Sequence, residues 1–75
     1  VSDQQNRKRS VSIAGHRTSF SLEDRFWTCL RRMAAERGMP VAALVAEIDA
    51  GRTGDGNLSS MIRLRVLDWA LSHRE

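Results

Sequence analysis

Arg17, Ser19 and Ser21 occupy alternate positions of the stretch Arg17-Thr18-Ser19-Phe20-Ser21-Leu22. In an extended strand a spacing of two puts side chains on one face, so a guanidinium and two hydroxyls would stand in a single row. The chemistry on offer is recognition. A guanidinium is a rigid fork of donors that matches a guanine edge or a phosphate, and a hydroxyl both donates and accepts. Chemistry of the bond-breaking kind has no comparable support. No carboxylates are paired for acid–base work, no glycine-rich phosphate loop is present, and no base motif surrounds Cys29, the only cysteine. Cys29 falls on the inner side of a helical segment, where a thiol behaves as a small hydrophobe. No Cys/His cluster has zinc-ligand spacing. Neither catalysis, nor a metal, nor a cofactor is expected.

The charge map supports an anionic partner. The net charge is only +3, but residues 1–32 carry Arg7, Lys8, Arg9, Arg17, Arg25, Arg31 and Arg32 against Asp3, Glu23 and Asp24. The remainder is slightly acidic. Positive charge therefore gathers in and around the alternating stretch, as a polyanion would require. Residues 1–10 are polar, lack periodicity and include Arg7-Lys8-Arg9; they read as a flexible basic arm that could neutralise phosphates. Short basic ends are also commonly just solvated. His16, beside Gly15, is a further candidate for a phosphate or base contact.

Positioning those residues falls to the elements around them. Thr18, Phe20 and Leu22 form the apolar row of a half-buried strand at 17–22, the one convincing strand in the sequence. A lone strand needs a partner for its edge N–H and C=O groups, and a second copy of the chain is the simplest one. In the stretch 11–16, Val11 and Ile13 alternate on odd positions and the parity slips near Gly15. A bulge in one long strand or a turn between two strands would each give that slip.

Three helices follow. The first spans about 23–37, with Phe26, Leu30, Met33 and Ala34 on its inner face and acids at its start, and Ser21 approximates a capping box. Gly38 suits its C-terminus. The second spans about 40–50, opens at Pro40 and buries Val41, Leu44, Val45 and Ile48. After a glycine-rich loop, Asn57 can cap a third helix over about 58–72. That helix carries two apolar stripes, Leu58, Ile62, Val66, Trp69 and Ala70 against Leu64, Leu67 and Leu71. Two stripes call for two buried contacts, one within the protomer and one across a subunit interface. No apolar run is long enough for a membrane span and no signal-peptide core is present, so a cytoplasmic location is expected.

A helix-turn-helix reader is disfavoured. Its recognition helix would be 40–50, which offers Glu47 and Asp49 and no cation before Arg52. A two-stranded ribbon fits the major groove equally well, and its outer face would carry Arg17, Ser19 and Ser21.

The blocks Lys8-Arg9-Ser10-Val11, Ala14-Gly15-His16-Arg17-Thr18, Phe26-Trp27, Ala34-Ala35-Glu36-Arg37-Gly38, Leu44-Val45-Ala46-Glu47-Ile48-Asp49 and Asn57-Leu58-Ser59-Ser60 together resemble the ribbon-helix-helix fold of the MetJ/Arc type. More narrowly, they resemble a family of short bacterial DNA-binding proteins with that fold. The resemblance covers about residues 8–71. It implies a mostly helical homodimer in which each chain gives one strand to a shared antiparallel ribbon, here with an extra C-terminal helix and a domain over 11–72. It implies double-stranded DNA and a second copy as partners, with further assembly on DNA and a protein partner as additional roles. Arg17, Ser19 and Ser21 fall on the base-reading positions. A phosphate would sit at the second helix's N-terminus, on the N–H groups of Met39, Val41 or Ala42, since Pro40 has neither N–H nor hydroxyl. Phe20, Leu22, Phe26, Leu30, Leu44, Ile48, Ile62, Val66 and Trp69 would form the core of the dimer. A transcriptional regulator is the leading expectation, and an antitoxin-like interaction module with the same fold is the alternative.

Overall fold

The protein is described by a computed structural model over residues 5–52 and 57–73. The first four residues of the expected arm and the centre of the glycine-rich loop lie outside that range. Five elements follow in order: β1 (Asn6–Ile13), β2 (His16–Glu23), α1 (Asp24–Glu36), α2 (Val41–Ala50) and α3 (Leu58–Ser72).

The parity slip at Gly15 is a turn. β1 and β2 pair antiparallel in one register from Asn6↔Glu23 to Ile13↔His16, leaving Ala14 and Gly15 as a two-residue loop. Both have positive φ, 48° and 83°, as the hairpin turn whose twist matches its strands requires. Glycine adopts this conformation freely, whereas alanine is strained in it. Ala14→Asn, which tolerates the left-handed region, should therefore stabilise the fold by about 0.5–1 kcal/mol. A thermal melt should rise by a few degrees, and no rise would contradict the strain.

Two expectations are corrected here. The strand at 17–22 is part of a longer strand and is not the only one, since β1 of the same chain pairs along one of its edges, and residues 6–10 are five of the eight residues of β1, not a free arm. Alternation missed β1 because its inward row is Arg7, Arg9, Val11 and Ile13, two of which are cations. Arg9 is nonetheless covered. Its guanidinium pairs with Asp24 and lies 5.0 Å from the centre of the Trp27 ring, with 16% of the side chain exposed. A long cationic side chain can hold its aliphatic stem on the core while its head finds a carboxylate. The open end of the hairpin is closed by Asp24 N–H donating to Gln5 C=O at 3.1 Å.

α1 begins at Asp24 with Glu23 as its N-cap and no side-chain cap bond. The expected capping box is absent because Ser21 is still in β2, two residues too early. At the other end Gly38, at φ 66°, closes the helix. Its N–H donates to Ala35 C=O at 3.1 Å, and Met39 N–H donates to Ala34 C=O at 3.0 Å. This pair of bonds is the Schellman arrangement, and it aims the chain back into α2. Pro40 precedes α2 as its N-cap instead of lying within it. Asn57 caps α3, its side chain accepting from Ser60 N–H at 3.2 Å.

Leu22, Leu30, Leu44, Val45, Ile48 and Ile62 are almost wholly excluded from solvent, with Phe20, Met33, Ala34, Leu58 and Val66 around them. Phe26, Trp27 and Trp69 lie against this cluster half-buried. Residues expected at a dimer core thus already form one chain's own core. Ion pairs tie its edges. Arg37 grips Glu47 at 2.7 and 2.8 Å, Arg65 reaches the same carboxylate at 3.2 Å, and Arg63 holds Glu23 at 2.9 Å.

Hydrogen bonding from Arg37 foremost, aided by Arg65, lowers the Glu47 carboxyl from 4.5 to about 2. A folded-state value below the unfolded one means stability that is present above about pH 4.5 and lost as pH falls toward 2. Acid titration of the unfolding midpoint should decline through that window, and Glu47→Gln should make the decline shallower. An unchanged slope would remove Glu47 as a source.

Candidate nucleic-acid interface

The hairpin has two unlike faces. Residues directly opposite in an antiparallel pair share a face, so Lys8↔Ser21, Ser10↔Ser19 and Ser12↔Arg17 line up on one side. All six are exposed, while Phe20 and Leu22 on the opposite side are buried. Strand alternation locks this division, because a one-residue slip would send Phe20 and Leu22 into water.

The outer face carries four hydroxyls between two cations set at diagonal corners. Ser10 Oγ and Ser19 Oγ are 3.3 Å apart, close enough for one hydroxyl to donate to the other. Among the described residues Lys8 and Arg17 have no ionic partner. The nearby carboxylates, in contrast, are occupied. Asp24 is held by Arg9 and by Arg7 at 3.2 Å, and Glu23 by both nitrogens of Arg63 at 2.9 and 3.3 Å. Hydrogen bonding from Arg63 lowers the Glu23 carboxyl below its ordinary value, consistent with that engagement. The face therefore presents positive charge and adaptable hydrogen-bonding groups with no competing free acid among the described residues. This suits a phosphodiester backbone bordered by base edges.

The residues singled out from the sequence do not all meet here. Arg17, Ser19 and Ser21 stand in one outward row as expected from their spacing, and Ser21 is not consumed by a helix cap. Its backbone N–H, on the β2 edge away from β1, donates to Ser59 Oγ at 3.0 Å. Lys8 joins the outer face. Arg7 and Arg9 have inward parity, and Arg9 is the less available of the two. His16 is exposed at the turn opposite Ile13, on the parity of the inner row. Met39 spends its N–H on Ala34, which leaves Val41 and Ala42 as the N–H groups at the start of α2. Ser10 and Ser12 were overlooked. Their signal was the turn itself, since closing the hairpin at Ala14-Gly15 puts Ser12 opposite Arg17 and Ser10 opposite Ser19.

α3 divides as its two stripes foretell. Leu58, Ile62 and Val66 are buried, whereas Leu64, Leu67 and Leu71 remain 56%, 48% and 52% exposed. An open depression on α1, of about 280 Å³, is lined by Thr28, Arg31, Arg32 and Ala35 and contains no carboxylate, imidazole or thiol to serve as a general base. Among the described residues no group of three His, Cys, Asp or Glu side chains could hold a metal ion, and no helix is long and apolar enough to cross a membrane.

Against known families, residues 6–70 match the model described as "Ribbon-helix-helix domain". Comparison with curated proteins and with solved structures returns no match.

Proposed function

The chain belongs to the ribbon-helix-helix domain family, and from that premise we propose that it is a dimeric, sequence-specific DNA-binding protein that acts as a transcriptional regulator. Domains of this family generally bind DNA, as transcription regulators or as antitoxins. The observation that carries the reading is the outer face of the hairpin, where Lys8 and Arg17 lack acidic partners among the described residues while Asp24 and Glu23 are occupied. In the major groove Arg17 would read a guanine edge, and Ser19 and Ser21 would bond base edges or phosphates. Lys8, Arg7 and His16 would hold the backbone, with the N–H of Val41 at the start of α2 as a further phosphate contact.

Self-association is supported by Leu64, Leu67 and Leu71, an apolar stripe that one chain leaves in water. The second reading draws on the same stripe. An interaction module of antitoxin type would dock a different protein there, keeping the hairpin for DNA. Light scattering combined with a DNA shift assay across salt concentrations tests both. The expected result is a dimer whose DNA affinity falls steeply with salt, as counterion release demands. No DNA affinity at low salt sinks the regulator. A monomer that binds DNA gives the leucine stripe to a different protein.

A further inference from the structure

We propose that the outward face of α1 is a binding site for a small phosphate monoester, held between Arg31 and Arg32. The site lies on a different element from the hairpin and does not depend on DNA binding. Elsewhere in the chain, arginines are engaged by its own acids. Arg7 and Arg9 hold Asp24, Arg63 holds Glu23, and Arg37 and Arg65 hold Glu47. Arg31 and Arg32 have no carboxylate partner among the described residues.

Helical spacing explains why they are left over. Residues three and four apart are neighbours on a helix surface, so Thr28 and Ala35 each adjoin both arginines, and neither bears a charge. The one acid three or four residues from either arginine is Glu36, and it is turned elsewhere. It accepts from Trp69 Nε1–H at 3.1 Å and lies 3.2 Å from His73 Nε2. Arg32 meets the face of the same indole, 5.7 Å from the ring centre, which steadies its guanidinium without neutralising it. Thr28, Arg31, Arg32 and Ala35 line the open depression of about 280 Å³, with no acid in its wall. All four are exposed, away from the buried side of α1 at Leu30, Met33 and Ala34. Two adjacent cations repel each other until an anion sits between them.

The chemistry of the depression selects among anions. A carboxylate presents one edge and satisfies one guanidinium fork. A phosphate monoester carries a charge of about −1.5 to −2 at pH 7 and three terminal oxygens, enough for two forks and the Thr28 hydroxyl. A phosphodiester of the DNA backbone has fewer free oxygens and a single charge, so it suits two converging arginines less well. Ala35 contributes only a methyl group and leaves space for the part of the ligand that bears the phosphate. The volume, at the small end of ligand sites, limits that part to a small molecule.

The test is an NMR titration of the full chain at neutral pH and fixed ionic strength, with phenyl phosphate as the probe and dimethyl phosphate as the diester control. Phenyl phosphate should shift the backbone signals of Thr28, Arg31, Arg32 and Ala35 saturably and bind at least about fivefold more tightly than dimethyl phosphate. Arg31→Gln with Arg32→Gln should weaken it at least about tenfold. Ala35→Glu keeps both arginines but sets a carboxylate between them, and should weaken it as much. These positions are exposed, so each variant should melt close to the parent. Shifts confined to the hairpin, equal affinity for the diester, or unchanged affinity in either variant would overturn the site. A DNA shift assay separates the other source of phosphate. If Arg31 and Arg32 held the duplex, the double variant would bind DNA more weakly, with a salt slope lower by about two, and the proposal would fall. The expected DNA affinity is within about twofold of the parent's. A parent that binds no DNA excludes the duplex as that source and leaves the titration to decide.

Discussion

Arg17→Ala should weaken binding to a specific operator by about 1–3 kcal/mol, roughly fivefold to 150-fold, with little change in affinity for random duplex DNA. The magnitude follows from what Arg17 does in the free protein. It stands exposed at a corner of the outer face, opposite Ser12, with no ionic partner among the described residues. Its guanidinium therefore gives up no internal bond on reaching a base, and folding loses little when it is removed. Anisotropy titrations on an operator selected from a random pool, alongside a scrambled duplex, separate the outcomes. A selective loss assigns Arg17 to a base. An equal loss on both sequences makes it a phosphate contact, and specificity would then rest on the serines.

Asp24→Ala should destabilise the fold by about 2–3 kcal/mol, lowering the melting temperature by about 10 °C or more. Asp24 holds Arg9, whose side chain is only 16% exposed and whose Nε is buried without a hydrogen-bond partner. Without the carboxylate, that guanidinium keeps one long bond to Leu22 C=O at 3.4 Å and the face of Trp27. Leaving a charge uncompensated costs more than the pair itself contributes, so Arg9→Met combined with Asp24→Asn should be less damaging than Asp24→Ala alone. The loss of a favourable acid in the first turn of α1 adds a smaller share. A melt within a degree or two of the parent would show that the pair is a dispensable surface contact. The same substitution frees Arg7, so non-specific DNA affinity should rise even as stability falls.

Much of the helical framework was legible from the order of residues. Gly38 and Asn57 marked the end of α1 and the start of α3 because their conformational freedom and capping chemistry are local properties. The two stripes of α3 were legible too, since helical periodicity separates Ile62 and Val66 from Leu64 and Leu67 without knowledge of a neighbour. β1 was not legible. Its inward positions at the N-terminal end are arginines, so its pattern resembles a solvated tail until Asp24 and Trp27 are brought beneath it. The capping role suggested for Ser21 failed for a related reason: the helix starts where the strand stops, and the strand's length depends on pairing with β1.

The sequence by itself determined the reading row. Arg17, Ser19 and Ser21 must share a face wherever this stretch is extended, and Phe20 and Leu22 must turn that face outward by seeking a core. It also determined that charge gathers near this row, because composition along the chain does not depend on folding. Tertiary structure decided which strand of the chain pairs with β2 and which cations remain available. Lys8 and Arg9 are neighbours of the same charge, yet strand alternation sends one to the outer face and the other beneath the sheet. There a carboxylate and an indole from α1 hold it. That division depends on a register set five or six residues away, at a two-residue turn, and on a helix that starts after both strands are made.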